Sequence, residues 1–153
     1  MPRQYAATFA AVSVTAAQDV FEITAPSTGV VRLMGLVLGQ SSDYGDAQAE
    51  GLSLTIVRGY TTSGSGGSAV TPSLLNSSNP AASAAVEANN TTVATTGTAV
   101  TLHADAWNVQ AGYQLWWPPE VRPAARNSER IVVRSTAPAD AITLSGTLYF
   151  EEE

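Results

Sequence analysis

The feature that most constrains the fold is the alternation of apolar and polar residues with a period of two. In the segment AITLSGTLYF, residues 141–150, one face carries Ile142, Leu144, Leu148 and Phe150, and the other carries Thr143, Ser145, Thr147 and Tyr149. A period of two places side chains on one face of a β-strand, whereas an α-helix needs a period of about 3.6. This segment therefore predicts a strand with one buried face.

Similar segments recur along the chain, with turn signals rich in Gly, Pro, Ser and Asp between them, and no segment has a convincing helical period. About eight short strands at this spacing are typical of a sandwich or a barrel. We predict an all-β fold, a single antiparallel β-sandwich or jelly-roll-like domain over residues 1–153 with long loops. A barrel is the alternative. The other predicted strands include LSLTIVR, RIVVRST, DVFEI, AAVEANN and YQLWW.

Three segments depart from simple alternation. The apolar residues change from odd to even positions between Phe9 and Val12, and from even to odd positions between Leu102 and Trp107. A β-bulge has this effect, so we predict one bulge after Phe9 and another near residues 105–106. The third segment, VVRLMGLVL, is apolar at both parities. It predicts a strand that is central in the fold or covered by a neighbouring subunit.

The stretch RGYTTSGSGGSAVTP, residues 58–72, suggests a linker, a phosphate-binding loop or a long loop. A linker would leave two small β halves, which are marginal alone. A phosphate loop needs a lysine and a following helix, but the chain has no lysine. We predict a long loop over about 59–80, either ordered against a partner surface or mobile. We also predict a flexible N-terminal arm, about residues 1–4, and an acidic C-terminal tail.

Charge and composition exclude several classes of function. The net charge is -6 and the arginines are scattered, which argues against nucleic acid as a partner. No apolar run approaches the ~20 residues that span a bilayer, and no signal peptide is evident. The chain has no cysteine, so it has no disulfide and no thiolate metal site. These features predict a soluble protein with no membrane partner.

Catalytic and metal motifs are weak. His103 is the only histidine, and Asp105 is its nearest carboxylate, but no GxSxG element accompanies them. Asp43, Asp46 and Glu50 could gather around calcium, but their spacing is not that of an EF-hand loop and favours an acidic turn. We predict no enzyme activity, no catalytic residue, no metal and no cofactor.

The aromatic residues are more informative. Trp107, Tyr113, Trp116 and Trp117 lie within a short span. Adjacent residues of a strand face opposite sides, so one of Trp116 and Trp117 is predicted to lie outside the core. An outward tryptophan can anchor a protein interface or stack on a sugar.

Several segments resemble small proteins encoded in the structural modules of tailed bacteriophages and prophages. They include MGLVLGQSSDYGDAQAE, IVRGYTTSGSGGSAVTP, GTAVTLHADAWNVQAGYQLWWPPE and RIVVRSTAPADAITLSGTLYF. The resemblance covers nearly the whole chain, and its most specific parts are LGQSSD-x-GDA and RG-x-TTSGSGGSA-x-TP. It brings no catalytic motif with it.

The resemblance implies a virion protein, and within that class a capsid decoration (cement) protein. Such a protein would be made in the host cytoplasm, form a homotrimer and bind the major capsid protein on the capsid surface. A tail-associated virion protein and a carbohydrate-binding β-sandwich are the alternatives. Our candidate contact residues for a partner or a second copy are Arg58, Tyr60, Leu74, Leu75, Trp107, Trp116, Trp117, Arg122 and Arg126.

Overall fold

A computed structural model describes residues 1–45 and 50–153 of the chain. These residues form twelve strands and one short 3-10 helix at Pro119–Val121, with no α-helix. The strands are β1 (Arg3–Val14), β2 (Gln18–Thr24), β3 (Val30–Gln40), β4 (Gly51–Thr62), β5 (Ser68–Val70), β6 (Ser73–Leu74), β7 (Ala85–Asn90), β8 (Thr95–Asn108), β9 (Tyr113–Trp116), β10 (Ala124–Arg126), β11 (Arg130–Ser135) and β12 (Ile142–Glu152).

The strands form two antiparallel sheets that pack face to face. In the first sheet, β9 and β10 share one edge of β3, and β12, β1 and β6 follow on its other side. The second sheet has the order β5-β7-β2-β11-β4-β8. The pairs β1–β12, β2–β11, β3–β9 and β4–β8 are those of a jelly roll, in which a long antiparallel ribbon folds across two sheets. The predicted all-β sandwich is confirmed, and four short strands (β5, β6, β7 and β10) extend the eight of the roll.

The core lies between the inner faces of the two sheets. The Tyr5 and Phe150 rings stack with centroids 5.4 Å apart, and the Phe9 and Phe21 rings meet at 5.2 Å. Each large apolar side chain buried here contributes about 1.5–3 kcal/mol before the entropy cost. One continuous apolar cluster therefore holds both sheets together.

The bulge predicted in β1 is confirmed. The register of β1 against β12 shifts between Phe9 and Val12. Ala11 has a positive φ of 55°, and its backbone N–H donates to the hydroxyl of Ser145 at 3.0 Å. The shift keeps Phe9 and Val12 on the inner side although their parities differ.

The second predicted bulge lies elsewhere. The register of β8 is regular through Asp105 and Ala106, and it shifts instead at Leu102, because the adjacent residues Ile56 and Val57 of β4 pair with His103 and Thr101. The prediction of a break at residues 105–106 was therefore wrong by three residues. The alternation alone could not place the bulge, because a bulge at any of several sites between Leu102 and Trp107, the next large apolar residue, exchanges the faces equally well.

A further bulge explains why β3 is apolar at both parities. Gly35 pairs with Tyr149 and Leu33 pairs with Phe150, so Met34 is the extra residue. Leu33 and Leu36 consequently both point into the core, although the sequence assigns them to opposite faces. β3 is central, as predicted, but most of its apolar residues belong to one face.

β1 and β12 reach to within two residues of the first and last residues of the chain. The predicted flexible arm, residues 1–4, is corrected because β1 already begins at Arg3, whose guanidinium lies 2.8 Å from the Glu152 carboxylate. The predicted acidic tail is corrected too. Glu151 and Glu152 belong to β12 and are buried, and Glu151 pairs with Arg122 at 2.8 Å.

The predicted long loop at 59–80 is partly built into the sheets. β4 runs to residue 62, Ser65 bridges to Thr92, β5 pairs with β7, and β6 pairs with β1. The segment thus crosses from an edge of the second sheet to an edge of the first. Its partners are strands of its own chain, which supply the hydrogen bonds that a loop of this length otherwise lacks.

Candidate functional site

An exposed aromatic pair marks the outer face of the first sheet. The Trp116 side chain is 55% exposed, and its ring stacks on Tyr149 with centroids 5.1 Å apart and an interplanar angle of 27°. Both residues pair with Gly35 of β3. A β-carbon at Gly35 would lie 2.4 Å from the Trp116 ring, so glycine lets the indole lie flat on the sheet.

We use the name Trp116 face for the row of residues through this pair together with the uncharged outward positions on one side of that row. The register of the five strands places Trp116, Gly35, Tyr149, Ala6 and Ser73 in one row across the sheet. At about 4.8 Å per strand, this row is ~19 Å wide. On one side of the row, the neighbouring outward positions are uncharged: Thr8, Val37, Gly39, Gln114, Ser145 and Thr147. On the other side, the register places Gln4, Arg32 and Glu151. An uncharged surface with one aromatic anchor and charges at its border resembles the centre of a protein interface.

Two predicted contact residues lie in the core. Trp107 and Trp117 are 4% and 8% exposed, and the Trp117 backbone N–H donates to the Met34 carbonyl at 3.0 Å. As core residues they cannot meet a partner, which corrects the prediction for both. The inference that one tryptophan of the adjacent pair lies outside the core holds, and Trp116 is that residue.

The predicted arginine and tyrosine contacts are engaged within the chain. Arg58 donates to the Ala124 carbonyl at 2.7 Å, and Arg122 pairs with Glu151. The Tyr60 ring lies under the Arg134 guanidinium, 4.8 Å from its carbon. These side chains tie elements of the sandwich together. The remaining candidates, Leu74, Leu75 and Arg126, are exposed.

His103 and Asp105 lie at the rim between the sheets, with Tyr113 of β9 opposite. His103 Nε2 is 3.8 Å from Asp105 Oδ2, and the Tyr113 hydroxyl donates to that oxygen at 3.1 Å. The Ala106 backbone N–H, followed by the Tyr113 hydroxyl, lowers the pKa of Asp105. The hydroxyl that contacts His103 and Asp105 is therefore the phenol of Tyr113, whereas a Ser-His-Asp triad needs a serine hydroxyl.

We expect Tyr113 to ionise well above the ordinary tyrosine pKa of 10.0. Burial and then the Asp105 carboxylate raise the pKa of Tyr113, and burial raises that of Tyr5. Because the folded pKa is raised, the stability from these groups is complete below pH 10.0 and is lost as the pH rises further. Ultraviolet titration of tyrosinate should show two of the five tyrosines ionising only as the protein unfolds. Ionisation of all five in one step before unfolding would contradict this.

The calcium hypothesis gains no support from the described residues. The Gln40 side-chain amide bonds to the backbone of Asp43. Its Nε2 donates to the Asp43 carbonyl at 2.9 Å, and its Oε1 accepts from the Asp43 N–H at 2.7 Å. Glu50 accepts a hydrogen bond from the Ala139 backbone N–H. Asp46 lies outside the described residues. Within residues 1–45 and 50–153, no cluster of three or more His, Asp or Glu side chains is arranged to hold a metal ion.

Sequence reasoning missed two parts of the Trp116 face. Tyr149 was assigned to an outward face, but nothing in the sequence paired it with Trp116. Gly35 sits inside a strand of large apolar residues, and such a glycine often marks a place where another group approaches closely. That signal could have identified the support for the exposed indole.

Comparison of the chain with protein-family models, with curated proteins and with solved structures finds no match. In the part of the chain that the structure describes, no helix has the length and apolarity to cross a membrane.

Proposed function

We propose that the chain is a structural virion protein, a capsid decoration protein that forms a trimer and binds the outside of a phage shell. The resemblance to phage structural proteins supports this class, and jelly rolls recur among capsid proteins, although fold alone carries no function. The observation that carries the proposal is the Trp116 face, an uncharged sheet surface with an exposed aromatic pair.

The chemistry of the Trp116 face suits a protein partner. Charged residues are depleted at the centre of interfaces, and tryptophan and tyrosine are enriched there. The charged pairs of the first sheet gather at one end instead, where Arg32 meets Glu153 at 2.7 Å and Arg122 meets Glu151. A partner centred on Trp116 and the uncharged positions beside it would therefore meet these charges only at its rim, where charged residues are common.

A decoration protein stabilises a shell by mass action, because it binds the assembled form and not the separate subunits. Each contact can be weak, since many copies on one shell act together. An uncharged face of this width fits that requirement, and it needs no catalytic group.

Light scattering across a dilution series tests the self-association step. We expect a trimer for the natural chain and a shift toward monomer for Trp116→Ala, because loss of an aromatic anchor typically costs about 2 kcal/mol or more of binding energy. Val100→Ala is the matched control, since Val100 is an exposed apolar residue of the second sheet. A monomer at all concentrations, or equal effects of both substitutions, would count against the Trp116 face as a self-association surface.

Immunogold labelling of particles tests the location. Phage particles from the genome that encodes the chain would be purified and labelled with antibody against it. Labelled heads are the expected result. Labelled tails would establish the tail-associated alternative, and unlabelled particles in a preparation that contains intact heads and tails would overturn the virion proposal.

The exposed Trp116 ring supports carbohydrate binding as a second candidate function. A sugar ring could stack on its solvent side, while the sheet supports the other side. This candidate predicts that Trp116→Ala abolishes glycan binding without changing the solution mass.

A further inference from the structure

A cleft opens between the two sheets on the side away from the Trp116–Tyr149 pair. It lies between the bulged part of β1 and the edge formed by β5 and β7, and its volume is about 580 Å³. Pockets for small ligands typically measure about 300–1,000 Å³. The bulge at Ala11 and the glycines Gly66 and Gly67 shape its two walls.

Two buried amides form the polar part of the cleft. Gln18 Nε2 donates to Asn89 Oδ1 at 2.7 Å, and these residues are only 2% and 8% exposed. An amide has two N–H donors and one oxygen acceptor, so this bond leaves Gln18 Oε1 and the Asn89 Nδ2 donors free. Within the described residues, these atoms make no other hydrogen bond by the usual criteria, and both residues line the cleft.

The Asn89 side chain is held in place by its backbone. Asn89 has a positive φ of 59°, a conformation that asparagine tolerates better than most residues. Its neighbours Ala88 and Asn90 pair with Phe21 and Asp19 of β2 on either side. The amide is therefore presented from a fixed position, which lowers the entropy cost of binding a ligand.

The remaining lining is neutral and partly aromatic. The Phe9 ring borders the cleft and packs on Phe21 behind it, and Val70 adds apolar surface. Hydroxyls of Ser68 and Thr91 stand at the walls. The described lining residues include no acid, no base and no histidine. A ligand that suits them is uncharged and carries both donors and acceptors beside an apolar face.

We infer that this cleft binds a neutral saccharide. Neighbouring sugar hydroxyls can each donate and accept, which matches the free oxygen of Gln18 and the free N–H groups of Asn89. The C–H face of the sugar can rest on Phe9. The site is separate from Trp116, and the inference does not rest on the proposed virion function.

An array of neutral oligosaccharides, followed by calorimetry with the best-bound sugar, tests the inference. We expect Ser68→Trp to abolish binding, because Ser68 pairs with Ala88 beside the cleft and a large side chain there would fill it. Asn89→Gly keeps the positive φ and removes the amide, so it should weaken binding by about tenfold. Ser53→Trp, at an exposed position of β4, is the control for a new surface tryptophan.

The outcomes separate this site from the others. Trp116→Ala should leave saccharide binding unchanged. If this variant alone lost saccharide binding, the sugar site would lie on the Trp116 face, and the assignment to the cleft would be overturned. Absence of binding to every arrayed sugar would also overturn it, as would binding of a neutral peptide library in place of sugars. Thermal unfolding of each variant verifies that it is folded.

Discussion

Replacement of Asp19 by alanine is expected to lower the free energy of unfolding by about 3–5 kcal/mol, because it breaks a buried ion pair on one side only. The Asp19 side chain is fully buried, and Arg134 donates to its two oxygens at 2.6 and 3.2 Å. The Ala94 backbone N–H donates to the same carboxylate at 2.6 Å. Alanine would leave the Ala94 N–H without its acceptor and Arg134 without its counter-ion, with only the neutral Tyr60 hydroxyl and Ala94 carbonyl to accept from the guanidinium. Urea unfolding followed by tryptophan fluorescence measures the loss.

The control is Glu153→Ala. Arg32 and Glu153 are 2.7 Å apart, nearly the same distance, but the Glu153 side chain is 46% exposed. An exposed pair contributes about 0–1 kcal/mol, since water screens both charges. We therefore predict that the two substitutions differ in their loss of unfolding free energy because the two ion pairs differ in burial, and not because they differ in distance. Equal losses would show that the Asp19 pair does not hold the fold.

A second buried acid extends the same network. Glu22 accepts hydrogen bonds from the Ser63 hydroxyl at 2.6 Å and from the Gly64 N–H at 2.9 Å, and it pairs with Arg130. Together, Asp19 and Glu22 fasten the segments that follow β4 and β7 onto the outer side of the second sheet. The jelly roll is thus covered on this sheet by its own connections, while the Trp116 face of the first sheet is left open.

Much of this fold can be predicted from the alternation of apolar and polar residues alone. The strand features that were predicted wrongly have a common cause. The strand at residues 142–150 and the bulge after Phe9 were predicted, because each apolar position there has one consistent side. The bulges at Met34 and Leu102 were not. A bulge is defined by the partner strand, and the stretch of β3 from Leu33 to Leu38 contains no polar residue to mark where the faces exchange.

The candidate site was predicted less completely. Adjacent tryptophans required that one lie outside the core, but the choice of Trp116 depends on Gly35 and Tyr149, which lie far away in the sequence. Arg58 and Arg122 were assigned to contacts with a partner, but Arg58 donates to the Ala124 carbonyl and Arg122 pairs with the buried Glu151. Asp19 and Glu22 stand among the apolar residues of DVFEI, and a buried acid requires a paired cation, so that pattern could have predicted the network.

Replacement of Gly67 by alanine should destabilise the protein by about 1–3 kcal/mol, although composition alone places this residue in a flexible loop. A β-carbon at Gly67 would lie 2.2 Å from the Ala88 carbonyl oxygen and 2.7 Å from the Asn89 carbonyl carbon. Both atoms belong to the backbone of β7, so the clash can be relieved only if the β5–β7 pairing opens. Thermal unfolding of the variant measures the cost.

Gly39→Ala is the matched control, because a β-carbon at Gly39 meets no atom within 4 Å and its φ is not positive. Alanine there should be neutral or slightly stabilising, since it reduces the freedom of the unfolded chain. A mobile loop would accept alanine at Gly67 just as easily. Equal stability of the two variants would thus restore the flexible-loop interpretation, whereas a loss confined to Gly67→Ala requires that the Gly/Ser stretch is held against β7 as part of the sandwich.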